Sequence, residues 1–459
     1  MRPVLSACII PLTMTSLLIE HGTVLDPASG LQQLADVYIE DGVIREIGPD
    51  LKAKIKSDVE TLDATSLYVT PGLIDIHVHF REPGQEVKET VATGSAAAVA
   101  GGFTTVCCMP NTTPALDTDT QVEFIYTKAR EAGLCHVLPI GAITKGRKGE
   151  ELAEMALMHA AGAAGFSDDG VGVASAAVMT KALQYVKMIG SVLTQHCEEP
   201  SLSGGPMNAG PTAVKLGLAG LPPAAEELMI ARDLQLNQRI GARYHVQHIS
   251  TAGAVELVRR AKKSGDGGGK NVTAEVTPHH LLLTDEACGT LNGGYDTQTK
   301  MNPPLRSKED VAACIAGVVD GTIDCLATDH APHTREEKEL EFDKAPFGIL
   351  GLETALGLYV KALVEPGHLT WLQLIEKMTI AGARVMQLKD KGTLKPGAPA
   401  DITIIDPNAP WKVDPEQSYS KSRNTPFAGW RLTGKVRYTL VSGRIVFDGS
   451  VRSKTEPVA

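Results

Sequence analysis

The sequence predicts an α/β chain: a (β/α)8 TIM barrel with a small β-sandwich domain formed from the N- and C-terminal segments. Three observations predict it. Eight short apolar runs alternate with alanine-rich, helix-patterned stretches between residues 73 and 328, the texture of parallel strands joined by crossover helices. Short alternating runs bounded by Gly, Asp and Pro occupy both ends, as antiparallel strands do. No glycine-rich nucleotide turn follows the first of the eight runs, which argues against a doubly wound sheet.

The elements follow in order. Residues 1–14, MRPVLSACIIPLTM, carry one arginine and a short apolar stretch broken by Pro11, and read as an unstructured extension with Met14 as an alternative start. SLLIEHGTVLD, DVYIEDGVIREIG and TLDATSLYVT fill residues 15–70 with strand-like alternation, and PADITIIDP and KVRYTLVSGRIVFDG return to it near the other end, with Ser442-Gly443 as a hairpin turn. A composite β domain of 15–70 plus 392–459 is therefore expected around a catalytic barrel of 71–391. The eight barrel strands are expected at 73–80, 103–109, 136–143, 163–167, 191–197, 243–249, 271–276 and 323–328. Stretches such as VKETVATGSAAAVAG and ASAAVMTKALQYVKMIG supply helices, several closed by glycine. GDGGGK at 265–270 precedes a strand instead of opening a helix, so it reads as a slack connection and not a phosphate loop.

Composition narrows the class. A length of 459 residues, 43% of them hydrophobic and 21% charged, describes a globular chain with a substantial core. A formal net charge of −10 and the absence of a long basic block exclude a nucleic-acid partner; RRAKK at 259–263 reads as a solvated helix end. No apolar stretch reaches the roughly 20 residues of a membrane span. The eight cysteines show no C-x-x-C pair and only Cys107 and Cys108 adjoin, which fits a reducing cytoplasmic compartment. The Asn271-Val272-Thr273 sequon is then accidental.

LIDIHVHFREPG at 73–84 is built like a buried strand but carries two histidines. Alternate strand residues share a face, so His77 and His79 either chelate a metal or form a hydrogen-bonded core pair. The map of strand ends favours the metal: Asn111 follows strand two, Asp168 and Asp169 strand four, His196 closes strand five, His248 strand six, and Asp329 strand eight. In such barrels the C-terminal rim carries the chemistry. Four histidines and two carboxylates suit Zn2+, with Mn2+ or Co2+ as substitutes. They are too many for one tetrahedral ion and suit a bridged pair. His245 points off that face and is not in the set.

PGLIDIHVHFREPG, MPNTTP, GFSDDG, QHCEE, HVQHIST, KMNPPLR, TDHAPHT and APFGILGLE together resemble the bacterial dihydroorotases of the amidohydrolase superfamily, over essentially the whole chain after residue 14. The resemblance implies reversible cyclisation of N-carbamoyl-L-aspartate to L-dihydroorotate in pyrimidine synthesis. It implies one or two zinc ions, with two the expectation. His77, His79 and Asp329 would hold the first, His196 and His248 the second, and Asp169 would bridge them, with Asp168 as the fallback. It also implies Asp329 as the proton-transfer residue, and Arg81, Asn111, Asn302 and His333 as substrate contacts with the backbone of Phe347 and Gly348. An aspartate bridge, where many relatives carry a carboxylated lysine, predicts no dependence on bicarbonate.

Arg81, two residues beyond His79, would keep its guanidinium on the metal side in an extended chain, suited to a substrate carboxylate. HAPHTREEKELEFDKAPFG is charged and poor in large apolar residues, so 334–346 is either a lid or a plain solvated loop. Gln195 stands where an aspartate is common in the family, and implies an altered hydrogen bond behind the second metal position. Two rivals share the fold: another cyclic-amide hydrolase such as an allantoinase or hydantoinase, and a non-catalytic scaffold for aspartate transcarbamoylase. A homodimer, and association with aspartate transcarbamoylase, are the expected assemblies.

Overall fold

Eight parallel strands lie side by side in chain order in the computed structural model, which describes residues 16–55, 59–264, 269–290 and 294–450. They are Leu73–Val78, Phe103–Cys108, His136–Gly141, Gly165–Phe166, Val192–Gln195, Arg243–Val246, Val272–Val276 and Cys325–Leu326. A parallel bridge from Val78 to His330 joins the last strand region to the first, and His79 N–H donates to His330 O at 2.8 Å. The sheet closes into the expected barrel. The extension 1–14 and most of the 265–270 connection lie outside the described residues.

The strands are apolar on both faces because helices cover the outside and side chains fill the inside; all six residues of Leu73–Val78 are buried. Local sequence starts and stops the helices. Thr90 accepts from Thr93 N in a capping box at the start of Val91–Ala100. Pro223 opens Pro223–Ile240, and Gly241 closes it in the left-handed region that lacks a penalty for glycine alone (φ 67°).

The observed strands are shorter than the apolar runs suggest. Strands four and eight keep two paired residues each, and strand five stops at Gln195. Where the expected strands ran on into His196 and His248, and up to Asp329, the backbone instead leaves the ladder, with φ of 29° at His248 and 48° at Asp329. The chain gives up pairing where it turns polar groups toward the rim.

Both ends of the chain build one further sheet. Its order is Arg444–Asp448, Arg431–Val441, Ile402–Lys412, Tyr68–Pro71, Ser16–Asp26, Leu31–Glu40 and Val43–Gly48, with Glu60–Asp63 also paired to Ser16–Asp26. The expected composite of the two termini is thus a single hydrogen-bonded path, with its own core of residues such as Ile19, Val37, Val69, Ile402 and Ile404. Ser442 and Gly443 form the hairpin turn, both with positive φ as a tight turn of this hand requires. Residues 415–424, between the last long strands, run onto the barrel rim. No described helix is long and apolar enough to cross a membrane, and the seven described cysteines are buried and free.

Candidate active site

The first strand delivers His77 and His79 to the rim, both buried, with ring centroids 5.4 Å apart. Asp329 arrives from strand eight, its Oδ1 2.9 Å from His79 Nε2 and 3.5 Å from His77 Nε2. Asp169, from strand four, sits among four imidazoles. Its Oδ1 is 3.3 Å from His77 Nε2, 3.8 Å from His248 Nε2 and 3.9 Å from His196 Nδ1, and its Oδ2 is 3.4 Å from His79 Nε2. His196 Nδ1 and His248 Nε2 face each other at 2.9 Å. Six residues from His77 to Asp329, 252 positions apart at the extremes, meet at one mouth of the barrel.

The arrangement fits a cation. Ligand atoms of His77, His79 and Asp329 lie within 4.8 Å of one another, as do those of His77, Asp169 and His248. His77 Nε2 and Asp169 Oδ1 are buried without a hydrogen-bond partner, a costly state for polar atoms that a metal would relieve. Burial opposes ionisation of Asp169 and Asp329, yet His77 and the other imidazoles hold both below the usual carboxylate range. Both are therefore anionic, the form that ligates metals.

Three imidazoles have their outer nitrogen fixed. His77 Nδ1 meets Glu275 Oε1 at 2.6 Å, His79 Nδ1 meets Asn111 Oδ1 at 2.8 Å, and His196 Nε2 meets Glu198 Oε2 at 3.2 Å. These oxygens only accept, so each outer nitrogen carries the hydrogen and each inner nitrogen keeps its lone pair for a metal. Glu275 also binds His245 Nε2 at 3.1 Å, and His245 Nδ1 reaches Thr273 Oγ1 at 2.8 Å. His245 thus stands behind the site, one step removed from His77. Burial opposes the Glu198 carboxylate, but His196 and its other hydrogen-bond donors bring it down to about 2.

The strand-end pattern does not single out Glu275 or Glu198. A carboxylate inside the apolar run NVTAEV, and another two residues beyond His196 in QHCEE, were the signals that could have found them.

The other predicted residues take definite places. Asp168 faces away from the histidines: its Oδ1 accepts from Ile143 N (2.8 Å) and Thr144 N (3.0 Å), and its Oδ2 from the Thr144 hydroxyl. Arg81 is not extended; its φ is 61°, and its Nε donates to Pro332 O at 3.2 Å while Nη2 lies 3.4 Å from His333 Nε2. Burial pushes the guanidinium down to about 10, so it stays charged at neutral pH. Burial also pushes His333 down to about 3, and the neutral ring donates from Nε2 to Phe347 O at 2.8 Å. Asn302 Nδ2 donates to Glu198 Oε2 at 2.6 Å and leaves its buried Oδ1 without a partner. Gln195 Nε2 points at Met229 Sδ, 3.3 Å away.

Phe347 is 36% exposed, with Lys300 Nζ 4.7 Å from its ring centroid. Gly348 N–H donates to Lys300 O at 2.9 Å, and its carbonyl accepts from Lys338 and Asn424. Only glycine fits there: φ is 154°, and a Cβ would lie 2.6 Å from Ala331 O and 2.7 Å from His333 Cδ2.

Residues 67–254 match the family model described as Dihydro-orotase-like, and residues 347–447 match the one described as Amidohydrolase family. A protein named Dihydroorotase from Pelotomaculum thermopropionicum is 53% identical over 436 residues, covering 95% of this chain and 99% of the relative. The chain belongs to the dihydroorotase family. Another Dihydroorotase, from Anaeromyxobacter sp. (strain K), is 50% identical over 433 residues, covering 94% of this chain and 98% of its own. Among solved structures, an L-hydantoinase (dihydropyrimidinase) from Arthrobacter aurescens superposes with a TM-score of 0.83 at 28% identity, covering 95% of this chain and 96% of that one. A dihydropyrimidinase from Brevibacillus agri superposes with a TM-score of 0.81 at 24% identity and 95% coverage of both chains; that likeness speaks to the fold alone. The dihydroorotase segment at 67–254 contains five of the six clustered residues, all but Asp329.

Proposed function

We propose that the chain is a zinc-dependent dihydroorotase that interconverts N-carbamoyl-L-aspartate and L-dihydroorotate. The observation that carries the reading is the rim cluster itself: two carboxylates held ionised among four histidines, with the Arg81 cation on the adjoining loop. On this reading His77, His79 and Asp329 would hold one ion and His196 and His248 a second, with Asp169 available to both. When bound, such ions supply Lewis acidity, which activates water near neutral pH and polarises the scissile carbonyl.

The chain's own groups do the rest. Arg81 takes the ring carboxylate, a group that hydantoin and allantoin lack, with Asn111, Asn302, His333 and the Phe347-Gly348 backbone shaping the pocket. During ring opening Asp329 accepts the proton of the attacking water and hands it to the ring nitrogen as the amide bond breaks. In closure it takes a proton from the carbamoyl nitrogen as the new C–N bond forms. The departing carboxylate oxygen leaves as water, with one proton from that nitrogen and one from solvent.

The same reading keeps 15–70 plus 392–459 as a composite β domain on a catalytic barrel of 71–391. The buried free cysteines support a reducing cytoplasmic setting. A homodimer, and docking on aspartate transcarbamoylase, complete the proposal, and light scattering with and without that enzyme tests both.

The deciding experiment combines metal analysis with turnover of L-dihydroorotate, hydantoin and allantoin by purified wild type and Asp329→Ala. The wild type should prefer dihydroorotate, and the variant should fold but lose nearly all activity. Near-normal turnover by the variant removes Asp329 from the chemistry, and a preference for hydantoin or allantoin replaces the reading.

A further inference from the structure

Asn424 lies far from the metal cluster in sequence, in the segment between the last two long strands of the terminal sheet, yet it is 2% exposed and every polar group in its side chain is committed to the rim. Its Oδ1 accepts from His333 N at 3.0 Å, and its Nδ2 donates to Ala331 O at 2.9 Å and to Gly348 O at 3.0 Å. Its own carbonyl accepts from Leu350 N at 2.9 Å. One residue therefore holds two separate loops, 331–333 after strand eight through its side chain and 348–350 beyond the charged segment through side chain and backbone together.

Those loops carry the groups that the dihydroorotase reading assigns to substrate: His333, Phe347 and Gly348. They also touch closely, with His333 Nε2 2.8 Å from Phe347 O. Arg81 is tied to the same strip through Pro332 O. A shift of Asn424 would therefore move the His333 and Phe347-Gly348 side of the pocket without touching a metal ligand.

The segment that bears Asn424 is itself pinned. Tyr419 N donates to Glu353 at 3.0 Å, the Ser420 hydroxyl to Glu89, Ser422 Oγ to Lys88 O at 2.8 Å, and Lys421 Nζ to Glu86 O at 2.7 Å. Glu89 is a buried carboxylate and Glu353 a half-buried one, and desolvation, reinforced by Glu89, pushes Glu353 up to about 7. Nothing in the metal chemistry uses this strap, although it contacts the loops after the first and last barrel strands.

We propose that Asn424 is a positioning residue for substrate recognition, holding the His333 and Gly348 loops in register so that the C-terminal segment completes the pocket of the barrel. The inference rests on the dihydroorotase reading. Both donors and the acceptor are needed: an aspartate at 424 would keep the bond from His333 N but set a carboxylate against two carbonyls.

The test is steady-state kinetics with L-dihydroorotate on wild type, Asn424→Asp and Asn424→Ala, together with zinc content and thermal unfolding. Wild-type turnover tests the functional reading by itself. For both variants KM should rise about tenfold or more while kcat stays within about threefold, the signature of lost binding and intact chemistry. Zinc content should match wild type, and the isosteric aspartate should unfold within a few degrees of it. Unchanged KM overturns the proposal. So does a parallel loss of kcat, zinc and folded protein in both variants, which would make Asn424 a general structural residue.

Discussion

Glu275 joins two histidines, His77 through one carboxylate oxygen and His245 through the other, and is itself buried. Burial opposes its charge, but His77 and His245 hold the carboxylate below its usual range. Replacing it with glutamine leaves an amide that can accept from only one of the two rings, so His77 and His245 then compete for a single acceptor. Glu275→Gln should therefore weaken metal retention about 10–100-fold, measured as metal content after dialysis against graded chelator; retention equal to wild type would show that His77 is oriented by something else. The six residues of the cluster were legible because they lie at or just beyond the ends of apolar runs, in motifs spread along the chain. Glu275 and His245 were not, because they act from behind the site, through contacts between side chains of different strands that no local pattern reports. Asn111, expected at the substrate, also turns its oxygen to His79 Nδ1.

The 334–346 segment looked from its charge like a lid or a solvated loop, and it is neither loose nor fully exposed. Arg335–Lys338 is a helical turn capped by Thr334, Phe342 and Lys338 are buried, and Lys338 Nζ donates to Pro346 O at 3.0 Å and Gly348 O at 3.2 Å. Lys300 Nζ donates to Asp343 O at 3.1 Å. The anchoring was illegible because lysine is ordinarily a surface residue, and only tertiary packing buries this one. Burial, and then the nearby Lys300 charge, push the Lys338 amine down to about 7. Between that value and the ordinary 10.4 or so the unfolded chain binds the extra proton, so stability rises with pH across this window, and the cost of the buried charge is fully present below about 7. Against a Lys338→Met reference, the wild-type melting temperature should gain between pH 7 and pH 9. A difference that stays constant over that range would mean the amine remains protonated in the folded protein.

At the scale of the molecule, the two ends of the chain are one sheet and the C-terminal end is also part of the rim. The alternation in the terminal segments made that sheet legible, and the eight apolar runs made the barrel legible; the strap at 415–424 was hidden because SYSKSRNTPF has neither helical nor strand periodicity. A chain ending at Lys412 would keep every barrel strand and every clustered histidine. It would lose the partner of Ile402–Lys412, namely Arg431–Val441, along with Asn424. It should be insoluble or melt well below the full-length protein, because a long strand edge is left unpaired, and solubility with calorimetry checks this. A stable, soluble truncation would show that the barrel stands alone.

The pairing of Thr70 with Thr403, 333 residues apart, has a consequence for how the protein is made. On the ribosome, the strand Tyr68–Pro71 emerges early and must wait for its neighbour while the whole barrel is synthesised, roughly 15–70 s at ordinary elongation rates. During that interval the nascent chain carries an open edge, so slow translation or scarce chaperones should reduce the yield of active enzyme before any folded molecule is at risk.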